Sequence, residues 1–337
     1  MAQKVFLNAL PTDSLKYAEL RDALAAKGFE LVITRFEHAR MNEIIAAVKG
    51  CCAVISNGET WNRQAIDAVR EDVRIFVRHG VGVNTLDIPY LSACGIPLYN
   101  VGDANSAEVA EVALFHILGA VRKMCFAIEK ARQGFAGDIG LFFGHGLDGQ
   151  IVGLAGSGNI ARNLARMLKG FEVRVIAYDP YVAKETVKGY DIELVDSMES
   201  LFSTADVVSL HLPLNHETEG CVNKRLLSLM KPGACLVNTC RGAVVNEAEL
   251  IDALRSGRVA AAGLDVVAHE PICPEDPLYA LENVAITPHI GANSHEAVLK
   301  YTRVITRVIE GYFKGEPAPG VLNPGYARNT EEGGQHE

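Results

Sequence analysis

A glycine turn set between an apolar strand and an amphipathic helix constrains this chain more than any other feature: Ile151-Val152-Gly153-Leu154-Ala155-Gly156-Ser157-Gly158-Asn159-Ile160-Ala161. Gly156 permits the tight strand-to-helix turn, and Gly158 lets the backbone approach a ligand that a side chain would hold off. The helix that opens at Asn159 and Ile160 directs free N–H groups and the positive end of its dipole at an anion. Ile160, Leu164 and Leu168 recur at helical spacing with Ala161 and Ala165 beside them, which gives the helix a face to pack on a sheet. A second strand-like run, Val173-Arg174-Val175-Ile176-Ala177-Tyr178, leads into Asp179, twenty-one residues past Gly158. A carboxylate at that point accepts hydrogen bonds from ribose hydroxyls and repels a 2′-phosphate, so the unit reads as a dinucleotide site for NAD over NADP. Ala161 stands at the third glycine position, an allowed variant.

At 337 residues the chain is too long for one ordinary core and suits two domains. A net charge of −9 at pH 7 argues against a nucleic-acid partner, which would need a basic face. Eight cysteines (Cys51, Cys52, Cys94, Cys125, Cys221, Cys235, Cys240 and Cys273) form no C-x-x-C pair and no zinc-ligand spacing. No metal is therefore expected, and the thiols read as small core residues of a reduced, cytoplasmic protein. The first eight residues lack the apolar region of a signal peptide, and the longest apolar stretch, 112–121, is interrupted by His116 and too short for a bilayer. The expectation is a soluble protein that acts on small molecules, away from membranes.

Residues 4–8, 30–34, 53–56 and 73–78 read as strands and 14–27 and 41–48 as helices, an α/β domain of its own ahead of the glycine turn. A long helical pattern from Asn105 or Ser106 to about Gln133 is placed to bridge two domains, and the glycine-rich stretch 134–149 reads as an arm or lid edge. Beyond the turn, strand patterns at 207–210, 234–238, 260–265 and 284–287 alternate with helix patterns at 197–203, 223–230 and 246–256. In the last of these, Asn246 and Glu249 are spaced as a capping box. A final helix over 294–314 returns to the first domain. The expected architecture is α/β: two Rossmann-like domains, one doubly wound and flavodoxin-like, one dinucleotide-binding, with an active-site cleft between them. The boundaries are 1–103 plus 292–325 for a substrate domain, 104–291 for an NAD-binding domain, and 326–337 for a mobile tail.

In an open parallel sheet, ligands bind beyond the carboxyl ends of the strands. The residues there are Asp179, His211 to Pro213, Thr239-Cys240-Arg241-Gly242, Asp265 with Glu270-Pro271, and Pro288-His289, followed by Gly291 and Ala292. Three of them make a catalytic set for hydride transfer to a carbonyl. His289 is suited to move the hydroxyl proton near neutral pH. Glu270 orients the imidazole and favours its protonated form. Arg241, a planar and permanently charged fork, clamps a substrate carboxylate and polarises the adjacent carbonyl.

These segments resemble the D-isomer-specific 2-hydroxyacid dehydrogenases. The resemblance rests on Leu154 to Ala161, Asn238 to Gly242, Gly263-Leu264-Asp265-Val266, Glu270-Pro271 and Thr287-Pro288-His289-Ile290-Gly291, together with His79 to Asp87 and Asn105 to Glu111, and covers nearly the whole chain. It implies Arg241 on the substrate carboxylate and carbonyl, Glu270 paired with the histidine, and His289 as acid/base. It further implies Asn159 and Ile160 at the pyrophosphate, Asp179 at the ribose, Thr239 and Cys240 beside the nicotinamide, Asp265 at its carboxamide, and the Val81-Gly82 backbone on the substrate carboxylate. His211, Pro213, Gly291 and Ala292 join the cofactor contacts, and the family implies a homodimer through the nucleotide domains. Asn84 and Val267-Ala268 depart from the family's usual residues without touching the chemistry.

The function so implied is NAD(H)-dependent interconversion of a 2-oxo acid and its D-2-hydroxy acid. The alternatives are an NAD-sensing, corepressor-like binding protein of the same fold, or a formate- or phosphite-type dehydrogenase. Formate enzymes replace the glutamate by an amide, which Glu270 disfavours, and phosphite oxidation needs a cation where Val81 stands, with Arg78 and His79 close by in sequence. No further domain is expected after Glu337, which points away from the long, serine-controlled phosphoglycerate dehydrogenase form. Asn57, Gly58, Trp61, Arg78 and His79 are the candidates for substrate selection.

Overall fold

The computed structural model describes residues 2–11 and 17–326, and the expected mobile tail lies almost wholly outside them. The chain divides into two compact units, Met1–Asn105 with Ser294–Glu337, and Ser106–Asn293.

The first unit is a five-stranded parallel sheet in the order β2-β1-β3-β4-β5. Its strands are β1 (Gln3–Asn8), β2 (Phe29–Thr34), β3 (Cys51–Ser56), β4 (Ile75–Arg78) and β5 (Leu98–Tyr99), joined by α1 (Ala18–Ala25), α2 (Met41–Val48), α3 (Arg63–Asp67) and α4 (Ile88–Ala93). The predicted start of α1 at residues 14–16 lies outside the described residues. β1 is buried over its last four residues and β3 over most of its length, as central parallel strands covered on both faces must be.

The second unit carries α5 (Ser106–Val121), α6 (Met124–Arg132), β6 (Ile151–Ala155), α7 (Asn159–Leu168), β7 (Arg174–Tyr178), α8 (Lys184–Val187), β8 (Ile192–Leu194), α9 (Met198–Thr204), β9 (Val207–Leu210), α10 (Lys224–Leu227), β10 (Cys235–Asn238), α11 (Glu247–Arg255), β11 (Ala261–Leu264) and β12 (Val284–Ile286). Its seven parallel strands run β12-β11-β10-β9-β6-β7-β8. α5 packs on β10 and β11 and against α7, and α9 packs on β6, so two apolar layers cover opposite faces of the sheet. The last helix, α12 (His295–Lys314), belongs to the first unit, where it packs on α1 and β4. Ser294 caps it by accepting from the Ala297 N–H.

Three local expectations change. The single helix predicted from 105 to 133 is broken after Val121, because Lys123 takes a left-handed conformation (φ 52) and the Val121 carbonyl accepts from His145 instead of from a fourth-residue neighbour. Asn246 caps α11 by accepting from Glu249 N–H, but the reciprocal half of the box is absent: the Glu249 carboxylate accepts from the Lys224 N–H at 2.5 Å. The thiols are all free, yet only Cys51, Cys235 and Cys240 are fully buried and Cys273 is exposed. Among the described residues no helix is long and apolar enough to cross a membrane.

Candidate active site

In the second sheet the strand order reverses between β6 and β9, and both strands end at the nucleotide turn. Such a switch point opens a crevice at the carboxyl edge of the sheet. Gly156 has φ 92, and a Cβ there would lie 2.5 Å from the His211 carbonyl oxygen. Only glycine satisfies both the backbone and the space. Gly158 is the N-cap of α7, and a side chain on it would meet no protein atom within 4 Å, so the turn there is open on its outer side. Asn159 and Ile160 open α7, whose ten residues supply a full helix terminus.

Asp179 is tied to the same turn. Its Oδ2 accepts from the Ser157 N–H (2.8 Å) and hydroxyl (3.1 Å), and its Oδ1 from the Tyr181 N–H (3.0 Å). Ser157 had no role in the sequence reading, since nothing local shows that its backbone turns toward a residue 22 positions on.

Two polar atoms on neighbouring strand ends are buried without a partner among the described residues: Nδ1 of His211, just past β9, and Oγ1 of Thr239, just past β10. Unmatched polar atoms at such a site are what a bound ligand would satisfy. Burial pushes the His211 imidazole down to about 4, and its Nε2 pairs with the Ser209 hydroxyl at 3.0 Å. Together with the bare Gly158 and the α7 terminus, these atoms fit a dinucleotide with its phosphates at the turn. Pro213 is exposed beyond His211.

The β10 turn is stapled by Asn238, whose Nδ2 donates to the Arg241 carbonyl (3.0 Å) while its Oδ1 accepts from the Cys240 N–H (3.0 Å). Cys240 itself is buried, and burial raises its thiol to about 11, so it stays a neutral wall residue. Arg241 is partly exposed and spends one N–H on the Cys240 carbonyl at 2.5 Å. Next to it, a Cβ on Gly242 would overlap the Val267 carbonyl, so the β10 turn and the loop after β11 pack backbone on backbone. That loop carries Glu270, whose Oε1 accepts from the Val267 N–H at 3.2 Å.

Glu270 and His289 meet: Nδ1 of the imidazole lies 2.7 Å from Oε2 of the carboxylate. Burial pushes the Glu270 carboxyl upward, but the hydrogen bond and charge of His289, with smaller pulls from the Val267 N–H and Arg241, bring it below its ordinary value. The pair is half-exposed, and Nε2 of His289 takes no part in it.

The turn bearing His289 is held by Asp265, which is 1% exposed. Its Oδ1 accepts from the Thr287 hydroxyl (2.5 Å) and the Ile290 N–H (2.9 Å), its Oδ2 from the Gly291 N–H (2.8 Å), and its backbone carbonyl from the His289 N–H (2.9 Å). The sequence assigned this carboxylate outward, to a nicotinamide carboxamide. The structure turns it first inward, leaving Oδ2 one lone pair for a further acceptor bond. Ala292 follows, partly buried.

The candidates in the first unit lie at the carboxyl edge of its own sheet. Arg78 braces the loop that contains Val81 and Gly82, donating to the Gly82 carbonyl (2.9 Å) and the Ser56 carbonyl (3.1 Å). Asn100 donates to the Val81 carbonyl at 2.8 Å. Trp61 is core: fully buried, its indole N–H donates to Glu59, a buried carboxylate that also accepts from the Asn57 N–H. Glu59 was not foreseen, because a glutamate in a turn usually reads as solvated.

Residues 114–291 match the family described as D-isomer specific 2-hydroxyacid dehydrogenase, NAD binding domain. The chain is 35% identical over 281 residues to D-3-phosphoglycerate dehydrogenase of Archaeoglobus fulgidus, covering 83% of this chain and 53% of that protein. It is 33% identical over 284 residues to glyoxylate reductase of Korarchaeum cryptofilum, covering 83% and 85% of the two chains. The chain thus spans about half the length of the phosphoglycerate dehydrogenases it matches. Among solved structures, the apo form of Rhodotorula graminis D-mandelate dehydrogenase superposes with a TM-score of 0.82 at 27% identity, over 96% of this chain and 98% of that one.

Proposed function

The chain belongs to the D-isomer-specific 2-hydroxyacid dehydrogenase family, and from that premise we propose that it is an NAD(H)-dependent enzyme that interconverts a 2-oxo acid and the corresponding D-2-hydroxy acid. The observation that carries the proposal is the 2.7 Å pair of Glu270 and His289, joined through the Gly242–Val267 contact to the turn of Arg241.

When bound, NADH supplies the hydride that adds to C2 of the oxo acid. Asn159, Ile160 and the bare Gly158 receive the pyrophosphate, Asp179 the ribose, and His211, Pro213, Thr239, Cys240, Gly291 and Ala292 line the remainder, with Asp265 offering its spare lone pair to the carboxamide. Arg241 presents two parallel N–H groups to the substrate carboxylate and draws electron density from the adjacent carbonyl. Glu270 stabilises the imidazolium of His289, which donates its Nε2 proton to the carbonyl oxygen as that oxygen gains the electron pair of the former π bond. The products are the hydroxy acid and NAD, and solvent reprotonates the imidazole.

The test is a panel of 2-oxo acids (glyoxylate, hydroxypyruvate, pyruvate, phenylpyruvate, 2-oxoisocaproate, 2-oxoglutarate) followed by NADH oxidation. His289→Ala is expected to lower turnover of the best substrate about 1,000-fold. NADH binding with no turnover anywhere in the panel would leave the corepressor-like reading instead.

The working unit in this proposal is a homodimer built on the second unit. Phe115, Met124, Ile128, Leu141, Ile139 and Phe143 are exposed on α5, α6 and the turn after them, the last at 77%. The same segment borders a groove of about 660 Å³ at the amino ends of β10 and β11, opposite the nucleotide turn. Exposed apolar side chains gathered on one segment favour a protein contact, and a second copy supplies the same side chains in return. Light scattering of the purified chain is expected to give twice the monomer mass, and Phe143→Glu half of that; a native monomer would reject the dimer.

A further inference from the structure

α5 is apolar along most of its buried face, yet His116 sits fully buried in it. Its Nε2 lies 2.8 Å from Oγ1 of Thr287, and that hydroxyl donates its only proton to Oδ1 of Asp265. Thr287 can therefore only accept from His116. Nε2 must carry the proton, and Nδ1 is the bare nitrogen. Nδ1 is buried without a partner among the described residues, so an imidazolium would bury both a charge and an unpaired N–H. Burial accordingly holds His116 down to about 4, against a weaker upward pull from Asp265.

Gly263 corroborates the arrangement from the other side. A Cβ there would come within 2.6 Å of the His116 Cβ and 2.9 Å of Nδ1, so β11 has cleared the space that the imidazole fills. Gly263 and Asp265, two residues apart, share a face of the extended chain, which brings the cleared space and the carboxylate to the same helix. An aliphatic side chain would fill the space equally well but would leave the Thr287 hydroxyl without a donor.

We propose that His116 is a positioning residue for the acid/base histidine: the chain His116–Thr287–Asp265 fixes the turn on which His289 stands. This rests on the reading of His289 given above. Asp265 grips that turn by the N–H groups of His289, Ile290 and Gly291. His289 has φ 52, a left-handed conformation that a non-glycine residue keeps only where its surroundings over-determine it. The donor from His116 orients the hydroxyl, the hydroxyl orients the carboxylate, and the carboxylate holds the strained turn.

His116→Leu and Thr287→Val remove the link, whereas His116→Gln places an amide N–H near the position of Nε2–H. In the full chain, the first two are expected to lower kcat about tenfold, since a small misplacement of a reacting group costs rate. Gln should recover most of the loss, and the Leu/Val double variant should be no slower than Val alone. Two readouts need no turnover: nitrogen NMR should find His116 as the Nε2–H tautomer at about pH 6 to 8, and the His289 ring resonances should shift in His116→Leu and return in His116→Gln. A kcat within twofold of native in His116→Leu, a Gln variant as slow as Leu, an Nδ1–H tautomer, or unmoved His289 resonances would each overturn the proposal. NADH binding without turnover on any 2-oxo acid would defeat the dehydrogenase reading alone, and the two NMR measurements would still decide the link.

Discussion

Nδ1 of His289 stands 2.7 Å from Oε2 of Glu270, while the other oxygen of the same carboxylate accepts from the Val267 N–H. The glutamate is thus anchored to backbone on one side and aims the imidazole on the other, leaving Nε2 outside the pair.

Replacing Glu270 by Gln keeps an oxygen acceptor for Nδ1–H but removes the charge that favours the imidazolium. The proposed reduction draws a proton from that imidazole, so kcat/KM at neutral pH should fall about 100-fold. A kcat/KM within twofold of native would mean that the carboxylate charge does not assist proton transfer at His289.

Gly242 has no room for a side chain against the Val267 carbonyl. Gly242→Ala must push the Arg241 turn away from the Glu270 loop, at a cost of about 2 kcal/mol in urea-measured stability, and should raise KM for the oxo acid while sparing KM for NADH. Native stability together with a native substrate KM would show that the two loops are not coupled through this contact.

Asp179→Asn preserves an acceptor for the Ser157 N–H and removes the negative charge. KM for NADH should rise about tenfold, the worth of one good hydrogen bond, and the preference for NADH over NADPH should shrink. If NADPH is used no better by the variant than by the native protein, selection against the 2′-phosphate lies elsewhere.

His116 and His211 are both held down to about 4, from an ordinary 6.5, chiefly by burial. Each takes a proton more readily unfolded than folded, so its contribution to stability is complete above about 6.5 and is lost as pH falls toward 4. Between pH 7 and 5 each should remove about 2 kcal/mol. Glu270, with its carboxyl depressed, adds a loss only at lower pH, from below the ordinary carboxylate range down through its own value. Urea midpoints at the two pH values should therefore differ in the native protein and differ less in His116→Leu; equal differences in the two would contradict a neutral His116.

The placement of the polar residues at the strand ends was legible because it is local. Gly156, Gly158 and Asp179 belong to one β-α-β passage, and a parallel sheet puts the residues following each strand along a single edge, so Arg241, Glu270 and His289 could be listed from alternation alone. Seven ordered segments then pointed to one family, and the two parallel sheets came with it.

Periodicity carries no information about which distant atoms touch. That Asp265 turns inward to hold the His289 turn, that Gly242 lies against the Val267 carbonyl, and that His116 reaches Thr287 across 171 positions of sequence are pairings of buried groups, decided when α5 settles on β11 and every enclosed donor must find an acceptor. The break after Val121 is of the same kind, since a carbonyl given to His145 is withdrawn from the helix. Which polar and glycine residues stand at the strand ends was written in the sequence. How tightly each is held, and by which neighbours, was decided by close packing, which leaves a polar atom little choice of partner once water is gone.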